Sequence, residues 1–203
     1  MENYAKKEIS LRYWLLGRGY FKASDALEFG KRHHKGLRKD GSPEFSHQIA
    51  IALFGRTLID SLLYPEETIT TIFLHDIRED YDISDGEIRT LFGDMVANAV
   101  AAMTKEFRGH KRDPFEVFDN LAKDPVASIA KGIDRIHNFS TMLEAFTESK
   151  QIEYIAEAEL HFIPMLKRAR RAFPQQEAAY ENIKWMLNSQ ISLIKAIHSN
   201  KGL

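Results

Sequence analysis

An all-α fold is predicted by three features of this sequence. Apolar residues recur at three- and four-residue intervals, prolines stand where those patterns begin, and no two-residue alternation bounded by turns is convincing. The start signals predict roughly eight to ten helices, in a single compact bundle, with strands at most minor.

Taken in order, the segment 35–45 (Lys-Gly-Leu-Arg-Lys-Asp-Gly-Ser-Pro-Glu-Phe) reads as a tight loop from its Gly, Asp and Pro content. After it, Ile49, Ala52, Leu53, Arg56, Thr57, Ile59 and Asp60 form a helical stripe read as buried. Pro65 opens the next helical pattern, and Leu74 to Asp80 reads as helical. Ser84-Asp85-Gly86-Glu87 has capping-box spacing, with a side-chain acceptor three residues before a glutamate. A polar, basic loop is expected over Phe107-Arg108-Gly109-His110-Lys111-Arg112. Asp113-Pro114 and Asp124-Pro125 each place a capping carboxylate before a proline whose missing N–H costs nothing at the first helical position. Pro164 falls inside the helical pattern 150–172, so a kink or a break is expected there. Pro174 opens the last pattern, whose stripe is Ile183, Met186, Leu187, Gln190, Ile191, Ile194 and Ile197. Four of the six prolines therefore mark helix starts.

Composition bounds the function. At 203 residues, one domain spanning 1–203 is expected, and the chain is long enough to bury a core without staples. The lack of cysteine excludes disulfides, thiol nucleophiles and thiolate metal sites, so any metal must sit on His, Asp or Glu. A net charge of −1 argues against a broad nucleic-acid-binding face. The apolar run Tyr13-Trp14-Leu15-Leu16 is too short for a secretory segment, and no stretch reaches the length of a membrane span. A cytoplasmic protein with neither nucleic acid nor membrane as partner is the expectation.

Two constellations carry chemistry. In Leu74 to Asp80, His75 and Glu79 are four apart, as are Asp76 and Asp80, so a continuous helix places four titratable groups on one side. Carboxylates stacked in this way repel unless a cation compensates; the plainer reading is a solvated acidic helix end. In Lys131 to Asn138, Asp134 and Asn138 lie one turn apart with Thr141 three residues on, inside an apolar run of Ile129, Ile133, Ile136, Phe139 and Met142. The plainer reading there is an aspartate satisfied by Arg135 and an asparagine at a helix contact. His47, at the head of the first stripe, reads alone as a core histidine. Together, His47, His75, Asp76 and Asp134 are a mixed nitrogen and oxygen set suited to an ion such as Mn²⁺, as in a metal phosphohydrolase.

The chain resembles the HD-type hydrolase domain of the RelA/SpoT proteins, in its stand-alone form, the small alarmone hydrolases. The resemblance runs from about Ala26 to Tyr154, with residues 155–203 left as C-terminal helices packing on that core. It rests on Arg38-Lys39-Asp40-Gly41-Ser42-Pro43 ending in His47, on Phe73-Leu74-His75-Asp76 with Glu79-Asp80, on Phe92-Gly93-Asp94 leading to Met103-Thr104-Lys105, and on Lys131 to Asn138. It implies that His47, His75, Asp76 and Asp134 bind one Mn²⁺ and that Glu79 and Asp80 handle the attacking water. It further implies that Arg38 and Lys39 contact a guanine nucleotide, and that Asn138, Thr141 and Tyr154 line its pocket. The reaction implied is removal of the 3′-pyrophosphate of ppGpp or pppGpp, returning GDP or GTP. The synthetase domain of the long relatives has no room here, so degradation without synthesis is expected. Lys131, with Arg108, Lys111 or Arg112, is a candidate to grip the outer phosphates.

The sequence departs from the family pattern at named places. An aromatic three residues before the first ligand and a proline just after it are usual; here Glu44 and Gln48 stand there, with Phe45 one place along. Tyr81 stands where Thr usually follows the acidic pair, and the stretch between His47 and His75 is longer around Leu62-Tyr64-Pro65. Glu44 keeps open a related HD-family nucleotidase or NADPH 2′-phosphatase, and a non-catalytic nucleotide-binding module is the third reading. The intact Glu79-Asp80 pair argues against the last. The sequence leaves the oligomeric state open.

Overall fold

The computed structural model describes residues 4–38 and 41–200. Twelve α-helical segments follow one another. They are α1 (Tyr4–Arg18), α2 (Phe21–His33), α3 (Ser46–Thr57), α4 (Pro65–Leu74), α5 (Ile77–Asp80), α6 (Asp85–Phe92), α7 (Asp94–Met103), α8 (Pro114–Lys123), α9 (Pro125–Ala145), α10 (Glu148–Glu157), α11 (Ile163–Ala172) and α12 (Glu177–Asn200). Counting the interrupted rods α4–α5 and α10–α11 once each gives ten helices, within the expected range. The only sheet among the described residues is a hairpin of two-residue strands, β1 (Glu106–Phe107) and β2 (His110–Lys111), where a plain loop was expected. Gly109 at φ +78 supplies the left-handed turn between them.

The start signals work through the predicted side chains. Ser84 accepts from Glu87 N–H, Asp113 from Phe115 N–H, and Asp124 from both Val126 and Ala127 N–H. Pro164 follows a π turn, Ala158–Phe162, in which Ile163 N–H reaches back to Ala158 O. The wider turn absorbs the crowding that a proline ring brings to the preceding turn, so helical backbone continues through Pro164.

The core gathers around α9, which is buried along most of its length. Helices α3, α4, α7, α8, α11 and α12 all pack on it. The α12 stripe is buried as read at Ile183, Leu187, Ile191 and Ile194. The α3 stripe is rotated from its expected place: Gln48, Ile51 and Gly55 face inward with Ile49 and Ala52, while Thr57 and Asp60 are exposed. Gly55 is the reason α3 fits so close. A Cβ there would lie 3.1 Å from Ile72 Cδ1 and 3.2 Å from Ile69 Cδ1, tighter than ordinary packing tolerates. Between α3 and α4 lies the 3-10 turn Ile59–Ser61, and Gln176 Oε1 accepts from Leu63 N–H just beyond it. No helix among the described residues is long and apolar enough to cross a membrane.

Candidate active site

The chemistry-bearing residues come from three elements that meet on the buried face of α9. α3 brings His47 at its first turn, the α4–α5 junction brings His75 and Asp76, and α9 brings Lys131, Asp134 and Asn138. One ligand atom from each of His47, His75 and Asp134 lies within 4.8 Å of the others, and all three residues are buried. His47 Nε2 is 3.1 Å from Asp134 Oδ1, and His75 Nε2 is 3.7 Å from the same oxygen. Asn138 Nδ2 donates to that oxygen at 2.9 Å, and Lys131 Nζ holds Oδ2 at 2.8 Å.

The expected continuous helix from Leu74 to Asp80 is broken at His75-Asp76, between α4 and α5. The break matters for the site. It lets His75 Nδ1 donate to Ile72 O at 2.9 Å, which turns Nε2 toward Asp76 and Asp134. That Nε2 is buried and makes no hydrogen bond, although Asp76 Oδ2 lies only 2.8 Å away. Two donor atoms side by side, not pointing at each other, are arranged as ligands converging on a third body. Nitrogen, nitrogen and carboxylate oxygen suit a divalent transition ion, so the residues present fit a metal. Asp76 is half-buried and stands outside the tight three-residue cluster, beside His75.

The charges agree with that reading. Burial disfavours the imidazolium of His75, yet the Asp76 and Asp134 carboxylates outweigh burial and push its pKa up to about 9. Burial likewise opposes the Asp76 carboxylate, but His75 beside it pulls its pKa down to about 2. Asp134 is held well below the usual carboxylate range because Lys131, His47 and His75 together overcome its burial. Without an ion, the Asp76 and Asp134 charges are balanced by Lys131 and by a protonated His75, so a divalent cation would bind in place of the His75 proton.

Glu79 and Asp80 follow at the rim. Glu79 Oε1 accepts from the backbone N–H of Lys105, which fixes one oxygen and leaves the carboxylate exposed. Burial raises the pKa of Asp80, and the Asp76 charge adds to it. Tyr154, half-buried on α10, reaches Asn138, and burial pushes its phenol up. Arg38 lies in the 35–45 loop, with a charge felt by His137 on α9. Thr141 is exposed, one turn further out, with its hydroxyl donating to His137 O at 3.2 Å rather than to the cluster. Lys39 lies outside the described residues.

One plainer reading is corrected. Arg135 does not satisfy Asp134. It is stacked between Tyr154 (4.1 Å) and Phe162 (4.7 Å) and pairs with Glu157. The cations of the basic hairpin have neighbours of their own. Arg108 pairs with Asp82 at 2.6 Å, Lys111 is 3.7 Å from Glu106, and Arg112 donates to Ala101 O, Thr104 O and Glu116. A cleft of about 570 Å³, lined by Arg78, Phe107, Arg112 and Glu116 among others, does not include the cluster.

Two residues were missed in the sequence. His137 Nδ1 faces His47 Nδ1 at 3.0 Å, a spacing at which the two rings share one proton. Burial, then the His47 and Arg38 charges, hold the His137 pKa down to about 4, so it accepts and His47 Nδ1–H donates. His47 is thereby turned with Nε2 toward Asp134. His34 is buried, anchored by Nδ1 to Gly30 O, with Nε2 3.9 Å from Asp80 Oδ2. The sequence signal for His137 was its place three residues after Asp134; only the crossing of α3 and α9 shows its partner.

An all-helical fold built on one long axial helix, with a buried His-His-Asp cluster and an acidic pair at its rim, defines an HD-type domain with a candidate metal centre. No protein-family model matches the chain. It is 34% identical over 144 residues to the probable guanosine-3′,5′-bis(diphosphate) 3′-pyrophosphohydrolase of Synechocystis, covering 67% of this chain and 18% of that protein. It is 33% identical over 149 residues to the enzyme of that name from Aquifex aeolicus, covering 70% and 21%. The chain thus spans about a fifth of the length of these relatives. The solved structure of a metazoan orthologue of SpoT that hydrolyses ppGpp matches with a TM-score of 0.63 at 19% identity, over 85% of this chain and 94% of that one. The chain belongs to the RelA/SpoT-type hydrolase domains.

Proposed function

We propose that this chain is a Mn²⁺-dependent 3′-pyrophosphohydrolase of ppGpp and pppGpp, acting on the soluble nucleotide in the cytoplasm. The observation that carries the reading is the convergence of buried ligand atoms from His47, His75 and Asp134 within 4.8 Å of one another, in a chain whose relatives include the pyrophosphohydrolases above. His47, His75 and Asp134 hold the ion, with Asp76 alongside. When bound, the ion supplies Lewis acidity toward phosphoryl oxygens and acidifies water.

The chain's own groups do the rest. Glu79, with one oxygen tied to Lys105 N–H, keeps the other free to take a proton from the attacking water. Asp80, whose pKa is raised by burial and by Asp76, is suited to return a proton to the leaving oxygen. Lys131 is held on Asp134 and keeps that carboxylate charged and oriented; it serves the ion site first and the outer phosphates second. Asn138 and Tyr154 border the pocket, and Arg38 offers a planar cation for a purine face. Thr141 and Lys39 complete the nucleotide-contacting set.

The test is hydrolysis of ppGpp with Mn²⁺ present and with a chelator, products separated by chromatography. GDP and pyrophosphate appearing only with the ion is the expected result. Release of inorganic phosphate from NADPH, with ppGpp left intact, would replace this reading by the 2′-phosphatase one.

A further inference from the structure

The loop that carries Arg38 is closed at its base by backbone pairing and by one carboxylate oxygen. Glu44 N–H donates to Gly36 O and Gly36 N–H donates to Glu44 Oε2, both at 2.9 Å. The same Oε2 accepts the phenol O–H of Tyr81 at 3.1 Å. Tyr81 follows directly on Glu79-Asp80, so this oxygen joins the loop base to the exit of α5. Gly36 makes room for the contact: a Cβ there would lie 3.0 Å from Glu44 Oε2, so the carboxylate would have to shift slightly.

Neither end of this contact is loose. The Tyr81 ring stands edge-on to His34 at 4.8 Å and is tilted on His33 at 5.8 Å. His34 is itself buried and hydrogen-bonded to Gly30 O at 2.9 Å. Toward its tip, the loop is closed by Arg38 N–H to Ser42 O and by Gly41 N–H to Arg38 O, each at 2.9 Å, with Gly41 at φ +77. Arg38 is therefore carried at a set reach from Glu44.

We propose that Glu44 and Tyr81 form a latch that positions the Arg38 loop and so sets the affinity of the pocket for its nucleotide. Both positions depart from the RelA/SpoT pattern, and the two departures touch each other, which makes them one replacement rather than two. The latch contacts the loop and not the His47, His75 and Asp134 cluster. Its loss therefore weakens nucleotide binding before it slows the chemistry. The identity of the nucleotide rests on the hydrolase reading; the positioning role does not.

The experiment measures kcat and KM for ppGpp on the Mn²⁺-loaded full chain, with thermal midpoints on the same preparations. Tyr81→Phe removes one hydrogen bond and keeps the ring; it should raise KM roughly 3- to 10-fold with kcat within about 2-fold. Glu44→Ala removes all the side-chain contacts and should raise KM more, by roughly 5- to 30-fold. Glu44→Gln retains an acceptor and should recover KM to within about 3-fold of the unaltered protein. The double variant Glu44→Ala/Tyr81→Phe should be no worse than Glu44→Ala, since one contact cannot be lost twice. An unchanged KM in Tyr81→Phe, losses confined to kcat, or additive losses in the double variant would each overturn the latch. If the unaltered protein releases no pyrophosphate, the hydrolase reading fails by itself. The same ranking is then read in the dissociation constant for GDP by calorimetry, where a flat series overturns the latch.

Discussion

Asp134 and Arg135 are neighbours on α9, both buried and both charged, and they are satisfied in opposite ways. Asp134 is met by Lys131, His47 and Asn138, with His75 Nε2 close by. Arg135 is closed in by the Tyr154 and Phe162 rings and pairs with Glu157, with its Nε and Nη1 left without hydrogen bonds. The first arrangement brings two imidazoles and a carboxylate together within 4.8 Å. The second is a neutral pair laid on aromatic faces. A buried charge is thus no sign of function; an excess of convergent donors is.

Four predictions test that contrast, beginning with the largest effect. Asp134→Ala should leave the folded protein without a stoichiometric divalent ion and without measurable turnover, because the carboxylate is shared by every other member of the cluster. Metal analysis of the purified variant decides it, and full metal content would break the contrast at its root. Glu79→Gln should retain the ion and bind nucleotide normally while turnover falls by roughly 10²–10⁴, the worth of a positioned proton acceptor. Unchanged turnover there would mean that the rim carboxylate only secures the hairpin through Lys105 N–H.

Arg135→Ala should do the reverse. It leaves Glu157 without its cation and two rings without their partner, so stability should drop by roughly 2–3 kcal/mol. That is less than a fully buried pair costs, since Glu157 is partly solvated. Metal content in the folded fraction should stay intact, and a loss of the ion would show that the two sides of α9 are coupled. The smallest effect is on pH. His75 has a folded pKa of about 9 against an ordinary 6.5, so in metal-free protein its ion pairs contribute fully below pH 6.5. That contribution fades as the pH rises through 9, by at most about 3 kcal/mol. Melting with a chelator present should show this decline, and His75→Gln should flatten it.

Much of the site was legible along the chain because its parts come as local motifs. The His75-Asp76 and Glu79-Asp80 pairs, Asp134 with Asn138, and His47 at a helix start needed only spacing and donor chemistry. What escaped reading were partners brought in by helix crossing. His137 against His47, and Tyr81 against Glu44, are separated by 90 and 37 positions in sequence. Arg135 was assigned to Asp134 by adjacency, but neighbours on a helix point about 100° apart, so the two side chains leave α9 in different directions.

By itself, the sequence determined the helical class, the helix starts at its capped prolines, the interruption of the helical pattern near Pro164 and the types of atom available to a metal. These depend on φ limits, missing N–H groups and side-chain acceptors within a few residues, which are properties of the chain before it folds. The tertiary structure decided which face of α3 turns inward, where the rod between Leu74 and Asp80 breaks, and which partners the buried charges meet. Those outcomes depend on packing around α9, where a partner from a distant helix competes with every local one, and burial makes the better-placed partner win.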